Sequence, residues 1–330
     1  MDRVGLGKTG LRLSPIGLGT WQWGAPEWGW GGSYGEAEVS AAFERSLALG
    51  VNWVDTAEVY GMGRSEEMVG RLLKQHKGEE IFVASKVAPF HDFERACENS
   101  RRRLGVDAID LYQIHFPSVR YTVPRMMRAM ARLRKRGWVR HIGVSNFNLR
   151  RMRAAAASLP EGEVVSNQVQ YNLLERGPER DLLPHLRENG QTLIAYSPLA
   201  KGAVSGKYGP DNPPKDLARK MDAYFSPENL RKISPLVQVL REVGAAHGKS
   251  SGQVALNWLL GRGPIVAIPG AKSAAQAEEN AGAMGWRLTA DETRRIDGAL
   301  QGVVIRESPA RRLKAMVTML RIGAANLLNR

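Results

Sequence analysis

Short runs of β-branched and apolar residues alternate with amphipathic helical segments along most of the chain. There are eight such runs, and most of them end in polar residues before the next helical segment begins. Strands that are separated by helices form parallel sheets, and eight strand–helix units favour a closed barrel over an open sheet. The sequence therefore predicts an α/β fold of the (β/α)8 TIM-barrel type. The runs occupy residues 16–19, 52–55, 81–86, 109–115, 139–144, 164–169, 192–196 and 264–268.

Three further segments add to this pattern. Residues 10–15 fit an N-terminal β-hairpin that closes the floor of the barrel, and the Gly/Pro-rich residues 202–214 fit a mobile loop before an extra pair of helices. We expect residues 1–305 to form a single barrel domain and residues 306–330 to form a basic amphipathic tail. Docking of this C-terminal helical extension on the barrel is the favoured interpretation. Binding to a membrane surface or to a partner protein is the alternative.

The composition is that of a globular protein and excludes several classes. Of the 330 residues, 43% are hydrophobic and 24% are charged, which argues against a disordered or fibrous chain. The single cysteine, Cys97, excludes a disulfide framework and a cysteine-clustered metal site, and no motif predicts any other metal. The sequence has neither an apolar run long enough to span a membrane nor a signal-peptide core, so we expect a cytoplasmic protein.

The charge is strongly positive and unevenly distributed. The net charge is +14, and residues 111–160 contain no acidic residue. We interpret this basic sector as a solvated outer helix face. A field of one sign also attracts nucleic acid, acidic proteins or anionic lipid, but no nucleic-acid-binding motif accompanies it, so a nucleic-acid partner is disfavoured. The pattern does not fix an oligomeric state, and a monomer is the favoured one.

Four chemically distinctive side chains fall at or near the carboxyl ends of the predicted strands. Asp55, Lys86 and His115 end the second, third and fourth runs, and Tyr60 follows shortly after Asp55. In a (β/α)8 barrel the carboxyl ends of the strands meet at one mouth, where the catalytic groups lie. Each residue alone also has a structural interpretation, as a turn cap, a rim lysine, a buried histidine or a packed aromatic. Their joint occurrence predicts a catalytic group.

These four side chains have complementary acid–base properties. A free tyrosine has a pKa near ~10, and the ammonium of Lys86 would stabilise the phenolate and make Tyr60 a better proton donor. Asp55 would keep a half-buried lysine charged, and a neutral His115 would donate a hydrogen bond to a carbonyl oxygen. The set suits hydride addition to a carbonyl, whose oxygen must be protonated. Since no side chain provides hydride, a nicotinamide cofactor is predicted.

Blocks of sequence around these residues resemble the aldo-keto reductase superfamily. Residues 55–66, which read DTAEVYGMGRSE, are similar to the family's strand-two signature, and residues 110–115, DLYQIH, are similar to its strand-four block. Four further blocks match in family order, so the resemblance covers about residues 1–300. These blocks are residues 143–147, 167–172, 195–199 and 268–280.

The resemblance implies roles for the residues at the mouth. Tyr60 would be the general acid, tuned by Lys86 and Asp55, and His115 would orient the substrate carbonyl. The cofactor would be NADPH, with NADH as the alternative. Residues 145, 146 and 168 would hold the nicotinamide carboxamide, residue 196 would stack on its ring, residues 197–202 would wrap the pyrophosphate, and residues 272–280 would hold the adenosine end. The full set of expected cofactor contacts is Gly19, Thr20, Trp21, Asp55, Ser145, Asn146, Gln168, Tyr196, Ser197, Pro198, Leu199, Lys201, Gly202, Pro269, Gly270, Lys272, Ser273, Gln276, Glu279 and Asn280.

The segment after the first predicted strand is rich in tryptophan and bears on the substrate. Residues 21–30 hold four of the eight tryptophans. Aromatic walls suit flat or apolar aldehydes and ketones, whereas packing under the rim is the alternative for these side chains. This loop and residues 282–289 resemble a plant and cyanobacterial subset of the family that includes pyridoxal reductases, so a pyridoxal-like aldehyde is a candidate substrate. The expected substrate contacts are Trp21, Trp23, Trp28, Tyr60, His115 and Phe116.

The sequence thus favours an oxidoreductase that uses NADPH to reduce an aldehyde or ketone to an alcohol, with Tyr60 as the general acid. Two other functions remain open. One is a cofactor-binding regulatory or scaffold subunit on the same fold that docks an acidic partner, and the other is a nucleic-acid binder. A pure scaffold has no need of an ionised lysine beside a tyrosine, which favours the enzyme.

Overall fold

The described part of the chain, residues 3–160 and 162–306 of this computed structural model, contains ten β-strands and eleven α-helices. The strands are β1 (Val4–Gly5), β2 (Arg12–Leu13), β3 (Leu18–Gly19), β4 (Trp53–Asp55), β5 (Phe82–Val87), β6 (Ile109–Ile114), β7 (Val139–Ser145), β8 (Val164–Gln170), β9 (Thr192–Tyr196) and β10 (Ile265–Ala267). The helices are α1 (Glu36–Ala48), α2 (Arg64–Gln75), α3 (Phe93–Leu104), α4 (Val123–Lys135), α5 (Leu149–Ala156), α6 (Leu182–Glu188), α7 (Leu217–Lys220), α8 (Pro227–His247), α9 (Ser251–Leu260), α10 (Ala274–Ala281) and α11 (Ala290–Ala299).

Strands β3 to β10 form a parallel barrel in which each strand pairs with the next one along the chain. The barrel closes where the segment around β3 meets β10. There the amide nitrogen of Gly17 donates to the carbonyl oxygen of Ala267 at 2.8 Å, and Gly19 donates to Pro269 at 3.1 Å. A Cβ atom added at Gly19 would lie 2.7 Å from the carbonyl oxygen of Ile268, so the close approach at this seam favours glycine. The predicted (β/α)8 barrel is confirmed.

The N-terminal hairpin closes one end of the barrel, as predicted. β1 and β2 pair antiparallel, with Val4 opposite Leu13. Leu6 and Leu13 are buried against the apolar side chains inside the barrel, Trp53 among them. The indole nitrogen of Trp53 donates to the carbonyl oxygen of Ser14 at 3.0 Å, which fixes the hairpin to β4. The amino-terminal end of the barrel is therefore filled with side chains.

The helices surround the barrel and bury one face each, as α4 illustrates. Its buried side chains include Met126, Met127, Met130 and Leu133, and its exposed ones include Arg125, Arg128, Arg132 and Lys135. This spacing is that of an amphipathic helix. Part of the charge is paired locally, since Arg134 lies 2.7 Å from Glu163. Much of the basic sector between residues 111 and 160 is therefore an exposed helix face.

The longest connection between barrel strands runs from β9 to β10 and contains the predicted extra pair of helices, α8 and α9, which pack against each other. α7 precedes them and contacts the loop that follows β3. Of the predicted Gly/Pro-rich loop, residues 202–214, Gly202 ends a 3-10 turn and residues 203–214 form no helix. The backbones of Gly209 and Asn212 bond to each other in a turn. This connection brings residues 197–222 to the mouth of the barrel.

The described chain ends at Arg306, whose backbone nitrogen and oxygen bond to the side chain of Asn229 in α8 at 3.2 and 2.8 Å. Apart from Arg306, the predicted basic amphipathic tail lies outside the described residues. Within the residues that are described, none of the helices combines the length and the apolar character that a membrane crossing needs.

Candidate active site

A cavity of about 760 Å³ opens at the carboxyl ends of the barrel strands, and most of the predicted site residues line it. Lys86, Trp23 and Ser273 are the predicted residues that lie off its wall. The predicted residues on the wall are Gly19, Thr20, Trp21, Trp28, Asp55, Tyr60, His115, Phe116, Ser145, Asn146, Gln168, Tyr196, Ser197, Pro198, Leu199, Lys201, Gly202, Pro269, Gly270, Lys272, Gln276, Glu279 and Asn280.

Lys86 is fully buried behind the cavity wall and uses all three ammonium hydrogens. Its Nζ atom lies 2.5 Å from Oδ1 of Asp55, 2.8 Å from the carbonyl oxygen of Thr56 and 3.3 Å from the hydroxyl of Tyr60. Burial lowers the pKa of Lys86, but Asp55 and Tyr60 more than offset this, so that its pKa lies above the usual value. The lysine is therefore a fixed ammonium between a carboxylate and a phenol.

Tyr60 begins a short 3-10 turn after β4, in which Gly61 and Met62 have positive φ angles of 54° and 59°. The turn packs closely on the preceding loop, because a Cβ atom at Gly61 would lie 2.9 Å from the backbone of Gly24. Burial raises the pKa of Tyr60, while the ammonium of Lys86 lowers it. The pKa is raised overall, so burial outweighs the lowering that the sequence predicts. The phenol is protonated at neutral pH and faces the cavity.

His115 follows β6 and lies beside the phenol. The ring centroids of His115 and Tyr60 are 5.6 Å apart. Burial, and then the positive charge of Lys86, lower the pKa of His115 to about 3. Its imidazole is therefore neutral at physiological pH, as predicted. The buried Nδ1 atom has no hydrogen-bond partner among the described residues, and the residue lines the cavity beside Tyr60.

Two amide side chains hold the second oxygen of Asp55. Its Oδ2 atom accepts from Nε2 of Gln168 at 2.8 Å and from Nε2 of Gln113 at 3.3 Å, and all three residues are buried. The resemblance implies a nicotinamide contact for Gln168, and here its amide nitrogen also contacts the acid–base group. Gln113 is absent from the sequence prediction because it lies within β6 and not at its end.

A series of hydrogen bonds joins the ends of β6, β7, β8 and β9. Nδ2 of Asn146 donates to the carbonyl oxygen of His115 at 3.1 Å, and the hydroxyl of Tyr196 donates to Oδ1 of Asn146 at 3.0 Å. The hydroxyl of Ser145 donates to the carbonyl oxygen of Gln168 at 2.9 Å. The structure therefore brings together, on one wall, the residues expected to hold a nicotinamide.

Positively charged side chains gather at the other end of the cavity. The guanidinium of Arg219 lies 5.1 Å from the ring centroid of Trp28 and 5.5 Å from that of Tyr208. Burial and the neighbouring cations Arg219 and Lys207 lower the pKa of Lys272. Cations gathered around Lys272 in this way suit an anionic ligand.

The segment that carries Arg219 spans the cavity mouth. Nε of Arg219 donates to the carbonyl oxygen of Lys201 at 2.7 Å, and Nζ of Lys201 lies 2.5 Å from Oδ2 of Asp222. Neither Lys207 nor Arg219 is in the sequence prediction. Lys207 could have been predicted, because it lies close in sequence to the predicted pyrophosphate segment, residues 197–202. Arg219 could not, because no local pattern marks it in the short α7.

Residues at the start of α10 form the adjoining wall. The hydroxyl of Ser273 accepts from the backbone nitrogen of Gln276 and so caps the helix, which turns Ser273 away from the cavity. Oε1 of Gln276 accepts from the backbone nitrogen of Lys272 at 2.9 Å, and Asn280 donates to the carbonyl oxygen of Gly270 at 3.3 Å. The hydroxyl of Ser250 donates to the carboxylate of Glu279. These bonds order the end of the cavity around Lys272.

The tryptophans of the loop after β3 divide between the cavity and the core. Trp21 and Trp28 line the cavity and meet edge to face at a centroid distance of 5.1 Å. Trp23 is fully buried and donates its indole hydrogen to the carbonyl oxygen of Ala271 at 2.9 Å. The expectation that Trp23 contacts substrate is therefore wrong, because its ring packs beneath the rim. Phe116 lines the cavity on the opposite side, 6.1 Å from Phe90.

Among the described residues, no group of three or more histidine, cysteine, aspartate or glutamate side chains is arranged to hold a metal ion. Cys97, the one cysteine of the chain, is buried and unpaired. Burial raises the pKa of the Cys97 thiol to about 12, so it is not a thiolate at neutral pH.

A closed (β/α)8 barrel with these four side chains at its mouth defines the class of protein, which is an oxidoreductase. The sequence model of the aldo/keto reductase family matches residues 15–301, and the chain belongs to that family. The family assignment from the sequence blocks is thereby confirmed.

The chain is similar to curated proteins over most of its length. It is 41% identical over 294 residues to an uncharacterized oxidoreductase of Mycobacterium tuberculosis, which covers 88% of this chain and 89% of that protein. It is 34% identical over 315 residues to the chloroplastic pyridoxal reductase of Arabidopsis thaliana, which covers 88% of this chain and 84% of that protein.

Solved structures show the same fold. A glycerol dehydrogenase from Gluconobacter oxydans superposes with a TM-score of 0.83 at 32% identity, over 93% of this chain and 98% of that one. An aldo/keto reductase from Klebsiella pneumoniae, solved in complex with NADP and acetate, superposes with a TM-score of 0.75 at 28% identity, over 93% and 98% of the two chains.

Proposed function

We propose that this protein uses NADPH to reduce an aldehyde or a ketone to an alcohol, with Tyr60 as the general acid. The observation that carries the proposal is the position of Lys86, whose Nζ atom lies within 2.5 Å of Asp55 and 3.3 Å of the phenol of Tyr60. A buried ammonium that bonds a phenol contributes little to packing. It does stabilise the phenolate that remains after the phenol has given up its proton. Carbonyl reduction requires such a proton.

The protein side of the reaction follows from these contacts. The substrate carbonyl oxygen would accept hydrogen bonds from the hydroxyl of Tyr60 and from the neutral imidazole of His115. As negative charge develops on that oxygen, Tyr60 transfers its proton to it and becomes a phenolate. Lys86 stabilises the phenolate, and Asp55 keeps Lys86 charged while this happens. Because burial raises the pKa of Tyr60, the phenol holds its proton until the oxygen becomes basic.

The cavity suits a dinucleotide cofactor in size and in chemistry. Two buried polar atoms of wall residues, Nε1 of Trp28 and Oε1 of Gln22, have no partner among the described residues. Glycine at 270 leaves space for the Gln22 amide, since a Cβ atom there would lie 2.3 Å from it. The Asn146 and Tyr196 wall would hold the nicotinamide end. When bound, a reduced nicotinamide supplies the hydride that no side chain can provide.

The preference for NADPH rests on the cations at the far end of the cavity. Lys272, Arg219 and Lys207 surround a region in which a phosphate would relieve their mutual repulsion. The Klebsiella pneumoniae relative was solved with NADP, which supports this choice. A 2′-phosphate adds two negative charges that NADH lacks, so the cluster favours the phosphorylated cofactor.

The substrate end of the cavity is largely aromatic. Trp21, Phe116 and the half-exposed Val59 face the mouth around Tyr60 and His115. Such walls favour neutral aldehydes or ketones with a flat or apolar body. The similarity to a pyridoxal reductase of Arabidopsis thaliana supports a pyridoxal-like aldehyde as one candidate. The cytoplasmic setting and the monomeric state stay predictions.

The proposal is tested by following NADPH oxidation with 4-nitrobenzaldehyde and with pyridoxal, in wild type and in Tyr60→Phe. We expect turnover by wild type and at least ~100-fold less in the variant, because the general acid is missing. The Kd of NADPH, measured by quenching of tryptophan fluorescence, should be the same in the two proteins. Equal rates in the two proteins would refute the proposal. Tight cofactor binding without turnover of any carbonyl in a broad panel would favour the alternative, a scaffold subunit.

A further inference from the structure

We propose that Gln113 is a positioning residue for this reaction, and that its amide turns the Asp55 carboxylate toward Lys86. The inference rests on the proposed function and adds a residue to its machinery. Gln113 does not touch the cavity, and its effect on the phenol passes through Asp55 and Lys86.

The location of Gln113 in the barrel puts it beside the acid–base group. It is fully buried in β6, where it pairs in register with Lys86 of β5 and with Gly143 of β7. Its Nε2 atom donates to Oδ2 of Asp55 at 3.3 Å, and its Oε1 atom accepts from Nε2 of Gln168 at 3.4 Å. Both ends of the amide are therefore engaged with residues of the site.

The neighbouring strand leaves room for this side chain. A Cβ atom at Gly143 would lie 3.0 Å from Cγ of Gln113 and 2.6 Å from the hydroxyl oxygen of Ser166. Any side chain at residue 143 would thus displace the amide or its neighbour. The glycine keeps an opening in the barrel interior that Gln113 fills.

A neutral amide suits this position better than a charged or an apolar group. The two oxygens of Asp55 are used differently. Oδ1 bonds Lys86, while Oδ2, within the described part of the chain, bonds the amides of Gln168 and Gln113 alone. A second cation at Oδ2 would compete with Lys86 for the carboxylate. An apolar residue would leave Oδ2 with one donor and free the carboxylate to rotate. The amide fixes the orientation without adding charge near the phenol.

The charged and titratable groups near this position are few among the described residues. On the barrel side they are Asp55, Lys86, Tyr60 and His115. On the outer side of β5 and β6 they are Glu66, which pairs with Arg103, and Tyr112. The barrel-side groups therefore govern the ionisation of a carboxyl introduced at residue 113.

Gln113→Glu provides a test that depends on pH. At low pH the new carboxyl is protonated and donates a hydrogen bond to Asp55, as the amide does. At higher pH it ionises beside Asp55, cannot donate, and its negative charge makes Tyr60 a weaker acid. We expect kcat for carbonyl reduction near the wild-type value at pH 5 and about tenfold lower at pH 8, because ionisation of the introduced carboxyl adds a limb to the profile that the wild type lacks.

Gln113→Leu tests the same idea without adding charge. We expect kcat to fall about tenfold while the Kd of NADPH stays within about twofold, because the amide orients the acid–base group and does not contact the cofactor. Gln191→Leu is the matched control. Gln191 is a buried amide before β9 that donates to Val164 at 2.8 Å, far from the cavity residues, and its loss should leave kcat unchanged.

The outcomes separate the two levels of the proposal. A wild-type pH profile in Gln113→Glu, or an unchanged kcat in Gln113→Leu, would overturn the role of Gln113 while an inactive Tyr60→Phe still supported the proposed function. If Gln113→Leu does not fold, the pH profile of Gln113→Glu decides alone. If wild type reduces no carbonyl, the proposed function fails first, and this inference fails with it.

Discussion

The Nζ atom of Lys272 lies 3.2 Å from the backbone carbonyl oxygen of Trp28, which ties the loop after β10 to the loop after β3 across the seam of the barrel. Both residues line the cavity. The ammonium also lies 4.6 Å from the ring centroid of Tyr34, so two neighbours fix its position. A phosphate bound here would therefore be held by a lysine whose position the barrel seam already fixes.

Replacing this lysine should change the choice of cofactor. In Lys272→Met we expect the Kd of NADPH to rise about tenfold or more and that of NADH to change by less than about twofold, because only NADPH has a phosphate for the ammonium to bind. Fluorescence titration with both nucleotides measures this. Lys249→Met is a control, since Lys249 lies 5.9 Å from the ring of Trp286, outside the cavity. Equal weakening of both nucleotides would place the 2′-phosphate elsewhere.

Removal of Lys86 should affect both activity and stability. Lys86→Met leaves the buried carboxylate of Asp55 without its ammonium, so we expect ~3–5 kcal/mol less free energy of unfolding, and turnover at least ~100-fold lower. Chemical denaturation and the reductase assay measure the two effects. In the double variant Lys86→Met with Asp55→Asn, stability should recover in large part and activity should not. Recovery of both would mean that Lys86 has no part in proton transfer.

The neutral state of His115 predicts how stability depends on pH. Its pKa is about 3 in the folded chain against a usual value of 6.5, so the unfolded chain takes up a proton first as the pH falls. The contribution of the neutral His115 to stability is therefore fully present above about pH 6.5 and is lost progressively from there toward pH 3. His115→Gln should remove up to about 1.4 kcal/mol per pH unit from that slope. Chemical denaturation at a series of pH values gives the free energy of unfolding of wild type and His115→Gln. Equal slopes of this free energy against pH would contradict a neutral His115 in the folded protein.

The close approach at the barrel seam predicts the cost of a single methyl group. In Gly19→Ala the new Cβ would meet the carbonyl oxygen of Ile268 at 2.7 Å, so we expect a loss of ~1–3 kcal/mol in the free energy of unfolding. Gly209→Ala, with no atom within 4 Å of the added Cβ, should change stability by less than about 0.5 kcal/mol. A stable Gly19→Ala would show that the seam can open without penalty.

The barrel and the groups at its mouth were predictable because their signals are local. Alternation of strand and helix patterns marks the eight units, and Asp55, Lys86 and His115 stand out as polar residues at the ends of apolar runs. The turn that carries Tyr60 begins five residues after Asp55. In a parallel barrel such strand ends must converge, so residues far apart in sequence could be placed together without coordinates.

The parts that could not be predicted depend on orientation and burial. Trp21 and Trp23 are equally aromatic in sequence, and only the turn of the loop sends Trp23 into the core. Gln113 lies inside a strand, where its contact with Asp55 depends on the register between strands. Arg219 reaches the cavity through α7, which no pattern places over the mouth. The pKa of Tyr60 rises because of burial, which a charge pattern does not reveal.

The hairpin that fills the amino-terminal end of the barrel has a kinetic consequence. Since Leu6 and Leu13 fill that end, cofactor and substrate would enter and leave the described cavity through its carboxyl-terminal mouth. Of the cofactor and the substrate, the one that binds deeper in the cavity would have to bind first and dissociate last. We therefore expect the two ligands to bind in a fixed order, with release of the deeper one contributing to the turnover rate.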